Sequence, residues 1–269
     1  MLLITTVPAM FLAARGVPPL RLVAATMLGG ALTAGGGNAL NMVWDRDIDA
    51  RMPRTCHRPL VTGVVSPRAA VVFAMSLEAG GFVILWTQDN LLAALLAIGA
   101  AAYYLGVYTM ALKRTTRLNV VIGGAAGAMP VLVGWAAVAG TVGAPAWVLF
   151  AIILLWTPPH SWALAMRYRD DYARARVPML PAVAAGRVVA GQILAFVVLL
   201  VGASVVLAPV GDLGLAYLTG AGALGAAFTA MSWRFVRSAS PGRAMALFHF
   251  SNAYLALLFI SVAVAAIGR

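Results

Sequence analysis

Asn41, Asp45 and Asp49 recur at four-residue intervals in the run Asn41-Met42-Val43-Trp44-Asp45-Arg46-Asp47-Ile48-Asp49. On a helix that spacing lays one amide and two carboxylates along a single face, with Asp47 pointing elsewhere. A column of hard oxygen ligands suits Mg²⁺, which keeps several waters and shares its shell with phosphate oxygens. Arg51, Arg54 and Arg58 follow closely, and guanidinium groups hold phosphate through paired N–H donors. A second acidic segment, Arg167-Tyr168-Arg169-Asp170-Asp171-Tyr172, is less explicit. Its adjacent carboxylates diverge by about 100° on a helix, so one of them reaches a metal while Arg167 or Arg169 pairs with phosphate or with the other acid. Five of the eight carboxylates of the chain lie in these two segments. The plain alternative is a pair of solvated helix ends whose acids merely balance arginines.

The elements that must position these residues are membrane helices. Hydrophobic residues make up 62% of the 269 and charged residues 10%, with a mean hydropathy of +0.93. Apolar runs of about 20 residues mean membrane spans, and lipid offers no partner for backbone polar groups, so the spans are helices or a closed barrel. The runs are continuous rather than alternating, which excludes a barrel. The chain reads as an all-α polytopic membrane protein of about nine spans. They fall near 1–14, 19–43, 68–87, 91–110, 119–139, 144–166, 186–208, 212–233 and 243–267. The first is short for a span, as a truncated or misassigned start would leave it.

Sixteen of the nineteen basic residues fall in alternate loops, leaving Arg15, Arg21 and Arg269 for the other face. The positive-inside bias puts the basic loops, and both acidic segments, in the cytoplasm of a bacterial-type cell membrane. A net charge of +11 distributed this way does not describe a nucleic-acid binder, since no basic run carries interleaved aromatics. Cys56 is the sole cysteine, which excludes an intrachain disulfide. Each acidic segment follows an even-numbered span, as two related four-helix units would arrange it. The whole of 1–269 reads as one transmembrane domain.

The pattern N-x-x-x-D-x-x-x-D after an even-numbered span resembles UbiA-type intramembrane prenyltransferases. Further stretches resemble its heme O synthase (protoheme IX farnesyltransferase) branch: Asp45-Arg46-Asp47-Ile48-Asp49 with Arg54 and Arg58-Pro59-Leu60, Tyr108-Thr109 with Leu112-Lys113-Arg114-Thr115 and Asn119, Trp162-Ala163-Leu164-Ala165, and Asp171-Tyr172 running to Pro178-Met179-Leu180-Pro181. The resemblance covers nearly the whole chain. It implies transfer of a farnesyl group from farnesyl diphosphate to a vinyl group of heme B, with water adding and diphosphate leaving, in a Mg²⁺-dependent reaction. Asp45 and Asp49 are then the catalytic metal ligands, with Asn41 and Asp171 completing the set. Lys113, Arg114 and Arg117 clamp diphosphate, and Arg54, Arg58, Asn119, Arg167, Asp170 and Tyr172 join the substrate-binding set. Membrane lipid surrounds the site, and proteins of heme biosynthesis or terminal-oxidase assembly are the implied partners. The chain departs from the family pattern at Ser161, where Phe is common, at Arg176, where Gly is common, and at Val131, where a second Pro is common.

His160 follows Pro158-Pro159 inside a span. It either contacts heme iron, which favours imidazole, or satisfies carbonyls freed by the two prolines. Glu78, mid-span, reads as a neutral packed residue, and Gly35-Gly36-Gly37 as a close helix contact. Two rivals stand beside this reading. One is a prenyltransferase acting on an aromatic quinone precursor, and the other is a secondary transporter, whose ion sites lie nearer the bilayer midplane.

Overall fold

The computed structural model describes residues 2–268, so Met1 and Arg269 lie outside the described residues. All regular structure in that range is helical. Among the described residues, seven helices are long and apolar enough to cross a membrane: Pro67–Asp89, Leu91–Leu112, Asn119–Ala139, Ala144–Arg167, Gly186–Val210, Gly214–Arg237 and Pro241–Ile267. The expectation of nine is therefore met by seven on length and composition, and the two remaining runs depart for different reasons. Helix α1 (Thr6–Ala14) has nine residues, far short of a hydrocarbon core about 30 Å thick. Helix α2 (Leu20–Trp44) has 25 residues and the necessary length, but its glycines, Asn38 and Asn41 dilute its apolar character.

Two short segments, α3 (Arg46–Asp49) and α4 (Pro59–Thr62), follow α2. Then come α5 (Pro67–Ile84), α6 (Leu91–Ala102), α7 (Asn119–Ala139) and α8 (Ala144–Arg167). After α8 two short helices, α9 (Arg169–Arg174) and α10 (Leu180–Val183), lead into α11 (Gly186–Val210), α12 (Gly214–Arg237) and α13 (Pro241–Ile267). Packing divides the long helices into two groups of four in chain order. Helices α2, α5, α6 and α7 form one, α8, α11, α12 and α13 the other, joined through α7 against α8. The helix carrying each acidic segment opens its group, as the two-unit expectation requires.

Small residues set the closest approaches. A Cβ on Gly81 of α5 would stand 2.8 Å from the Gly29 carbonyl of α2, and one on Gly36 would stand 2.8 Å from Glu78 and 2.9 Å from the Ala74 carbonyl. Only backbones without side chains cross this tightly, which is how membrane helices gain contact in the absence of a hydrophobic drive between them. Glu78 is thus packed against the glycine run, beside the acid-bearing helix.

Helix α1 is seated within the bundle. Ala9 and Met10 are fully buried, and the helix packs on α7 and α13 before ending at Arg15 in the left-handed region. Its seat depends on Gly134 of α7, where a Cβ would lie 2.6 Å from the Thr6 carbonyl. Gly134→Val is expected to overpack this contact and cost ~1–3 kcal/mol. A fall of several degrees in the unfolding temperature of the detergent-solubilised protein would show it, and an unchanged melt would contradict this seat.

Candidate active site and its cavity

Helical hydrogen bonding persists across the end of α2. The Asp45 amide donates to the Asn41 carbonyl at 2.9 Å and the Asp49 amide to the Asp45 carbonyl at 2.8 Å. The i, i+4, i+8 stripe therefore stays on one face even though Asp45 itself has left helical geometry. Asn41, Asp45 and Asp49 are 8%, 0% and 5% exposed, whereas the Asp47 side chain is 47% exposed. The buried face is the inner one.

Both buried carboxylates of the stripe meet a cation. Lys113 Nζ pairs with Asp45 Oδ2, and Arg58 Nη1 lies 2.7 Å from Asp49 Oδ2. Lys113 arrives through a widened turn: after α6 the chain continues as a π-helix over Tyr103–Leu112, closed by the Lys113 amide donating to the Tyr108 carbonyl at 2.8 Å. Extra residues per turn are a recurrent feature of functional sites, and here they bring Thr109 under the stripe, its hydroxyl donating to Asn41 Oδ1 at 2.9 Å. Thr55 donates to the Asp49 carbonyl at 2.9 Å, fixing the loop that carries Arg54 and Arg58. Asn119, fully buried, donates to the Lys113 carbonyl at 3.4 Å, and its Oδ1 has no partner among the described residues.

Arg114 takes both oxygens of Asp47, at 2.7 and 2.9 Å, and reaches Asp45 Oδ1 at 3.5 Å. The hydrogen bond from Arg114 holds the Asp47 carboxyl below its ordinary range, and the same bond raises Arg114. A depressed carboxylate contributes above its unfolded value and loses that contribution as pH falls through the folded one, so the pair is intact at neutral pH. It is also exposed, where such pairs are worth ~0–1 kcal/mol. Asp47→Ala is expected to lower turnover no more than about threefold. Kinetics on the purified variant check this, and a loss as deep as that of Asp45 would contradict the one-face arrangement.

The second acidic segment is brought to the same end. Arg54 Nη2 donates to the Tyr172 hydroxyl at 3.2 Å, its guanidinium over the Tyr168 and Tyr172 rings at 5.7 and 5.3 Å. Ile48 and Met52 pack with Ala175, Val177 and Met179 in one buried cluster. Asp171 is paired with Arg174, and Asp170 and Arg167 are exposed. Among the described residues no group of three acidic, histidine or cysteine side chains forms a metal cluster, so Asp171 is not gathered with Asp45 and Asp49. Arg117 is exposed and makes no ion pair among the described residues.

A cavity of about 730 Å³ begins one turn above the stripe, at Asn38, Tyr104 and Tyr108, and runs between the two helix groups to Thr26 and Val133. Tyr104 and Tyr108 stack with centroids 5.6 Å apart, and the Lys113 ammonium stands 6.0 Å from the Tyr108 ring. Across the cavity His160 lies between Trp156 and Phe248, at 4.2 and 4.7 Å between centroids. Its Nδ1 is 2.8 Å from Ser251 Oγ. Helix α8 continues through Pro158-Pro159 without a break, so His160 bonds Ser251 rather than carbonyls freed by the prolines.

The model of the UbiA prenyltransferase family matches residues 2–262. The chain belongs to the UbiA prenyltransferase family. It is 52% identical to a protoheme IX farnesyltransferase of Frankia casuarinae, the match covering 99% of this chain and 93% of that one. It is also 52% identical to protoheme IX farnesyltransferase 1 of Saccharopolyspora erythraea, over 98% and 85%. Among solved structures, a digeranylgeranylglyceryl phosphate synthase superposes with a TM-score of 0.82 at 20% identity, covering 100% of this chain and 94% of that one. A UbiA homolog from Archaeoglobus fulgidus, bound to DMAPP and Mg²⁺, superposes with a TM-score of 0.65 at 15% identity, over 98% and 96%. At these low identities the two structures speak for the fold.

Within this UbiA fold the sequence reading missed Asn38, Tyr104 and Trp156 as cavity residues. A signal for part of the wall was present. Thr26, Gly30, Thr33, Gly37 and Asn41 recur every three or four residues along α2, a small and polar ridge that leads into Asp45 and Asp49. In a lipid-facing helix such a ridge has no reason to persist.

Proposed function

We propose that this chain transfers the farnesyl group of farnesyl diphosphate to a vinyl group of heme B, with water adding to the cation that results, so that heme O forms and diphosphate is released, and with residues 1–269 acting as one transmembrane catalytic domain. The observation that carries the reading is the buried Asp45–Asp49 face, paired with Lys113 and Arg58, at the mouth of a largely apolar cavity whose far wall presents His160. High identity to proteins named protoheme IX farnesyltransferase supports the acceptor, and the basic loops support an active site facing the cytoplasm of the cell membrane.

The residues fit a magnesium ion. Asp45 and Asp49 offer buried carboxylates on one face with the Asn41 amide beside them, and the Asn119 Oδ1 is a further buried oxygen without a partner among the described residues. Two carboxylates suffice for a cation that takes its remaining ligands from water and phosphate. When bound, Mg²⁺ supplies charge neutralisation to the leaving diphosphate.

The other steps belong to the chain itself. Lys113, Arg58 and Arg114 form a cationic ring around the acids and hold diphosphate oxygens as negative charge grows on them. Tyr104 and Tyr108 stand between that ring and the cavity, presenting electron-rich rings to the allylic cation left by departure of diphosphate. The small residues of α2 and α7 leave room for the prenyl chain, and the largely apolar lining of the cavity keeps water from quenching the cation early. His160 orients heme B from the opposite wall.

A product assay tests the reading. Membranes carrying the chain receive heme B, farnesyl diphosphate and Mg²⁺, and extracted hemes are weighed by mass spectrometry. A farnesylated, hydrated heme that disappears with EDTA is expected. Unchanged heme alongside released diphosphate would overturn the acceptor and send the search to aromatic quinone precursors.

A further inference from the structure

Away from the cavity, α11 and α12 cross with a groove between them of about 660 Å³, bordered by Leu194, Val198 and Val201 on one side and Gly225, Ala226 and Trp233 on the other. The groove faces outward: Val198 and Trp233 are 53% and 50% exposed, while Ile193, Val197, Phe228 and Phe235 of the same helices point into the core. Its floor is closed by the Val201 side chain packed directly on Gly225, where a Cβ would lie 2.7 Å from Val201 Cγ1. The bordered stretch of α12, from Gly222 to Trp233, runs about 16 Å at ~1.5 Å per residue. That is the depth of one leaflet in a hydrocarbon core about 30 Å thick.

Positive charge gathers at one end of this groove. The Arg237 guanidinium stands 5.5 Å from the centre of the Trp233 ring. Arg234 is exposed beside it, and Arg187, exposed, opens α11 at the same end of the hairpin. Arg243 is turned to the protein, donating to the Arg234 carbonyl at 2.8 Å and the Ser238 carbonyl at 3.4 Å. None of Arg187, Arg234 or Arg237 forms an ion pair among the described residues. The sole carboxylate after Asp171 is Asp212, at the far end of both helices.

We propose that this groove is a binding site for an anionic glycerophospholipid, one acyl chain lying between α11 and α12 and the phosphate held by Arg234 and Arg237. A leaflet-deep apolar channel headed by uncompensated arginines and an interfacial tryptophan is complementary to that amphiphile in both halves. A second copy of the chain is a poorer occupant. A two-fold interface centred on this groove brings each arginine cluster against its own image, and like charges so placed repel.

The purified full chain is equilibrated with vesicles of equal phosphatidylglycerol and phosphatidylcholine, and retained lipid is read by native mass spectrometry. One phosphatidylglycerol per chain is expected to survive. Arg234→Gln with Arg237→Gln is expected to weaken its retention roughly 30-fold. Ala226→Trp, which fills the groove from its exposed side, is expected to abolish retention while the protein stays monodisperse. Arg68→Gln, at the start of α5, is expected to leave retention unchanged. Equal retention of phosphatidylcholine, indifference to the double substitution or to Ala226→Trp, an equal loss in Arg68→Gln, or a lipid-free dimer would each overturn the proposal.

Discussion

Asp45→Asn is expected to lower farnesyl transfer by roughly 10³-fold while the protein remains inserted and monodisperse. Asparagine keeps the shape of the side chain and removes its charge, so the change isolates electrostatics from packing. Asp45 is wholly buried and bridges Lys113 and Arg114. Without its charge, the proposed metal on diphosphate loses a ligand, and the leaving group departs with less of its charge neutralised. Asp49→Asn should fall nearly as far, because its carboxylate shares the face and is held by Arg58. Removing one member of a buried ion pair also costs stability, but Lys113 retains 18% of its side-chain exposure and can hydrate. Size-exclusion traces of the two variants should therefore match the parent. Turnover within tenfold of the parent in both variants would sink the metal assignment, and aggregation would point to a structural role for the pairs instead.

The stripe was legible in the sequence because its physics is local. Four-residue spacing means one face wherever helical hydrogen bonding continues, and it continues through Asp45 to Asp49. The spans were legible too, since each long apolar run admits few structures in lipid. What escaped depends on contacts far apart in sequence. The eight apolar residues at 7–14 read alike whether they face lipid or protein, and Gly134, more than a hundred residues on, shows that α1 is seated within the bundle. The π-helical turn over Tyr103–Leu112 has no compositional signature, yet it sets where Lys113 and Thr109 fall. The aromatic frame of His160 was equally hidden, because Trp156 and Phe248 come from different helices.

That frame leads to the second large effect. The Ser251 hydroxyl has one hydrogen and two neighbours, the Phe248 carbonyl at 2.7 Å and His160 Nδ1, and when it donates to the carbonyl it accepts from the imidazole. In that arrangement the imidazole carries its proton on Nδ1, 2.8 Å from Ser251 Oγ, which leaves the Nε2 lone pair free. Which ring nitrogen is free is decided by the bond the other makes, and a free Nε2 is the form that binds iron. His160→Ala is expected to weaken heme B binding by at least roughly 100-fold, read from the Soret titration. Binding of farnesyl diphosphate should be spared, since the Asp45–Asp49 face is untouched. Ser251→Ala separates orientation from ligation. It frees the tautomer but keeps Trp156 Nε1 on the Ser251 backbone carbonyl at 2.7 Å, so the packing around the ring stays and heme affinity should fall only about tenfold. If His160→Ala binds heme as the parent does, the acceptor lies elsewhere in the cavity. If Ser251→Ala matches His160→Ala in depth, the histidine serves the packing of α8 against α13 rather than the iron.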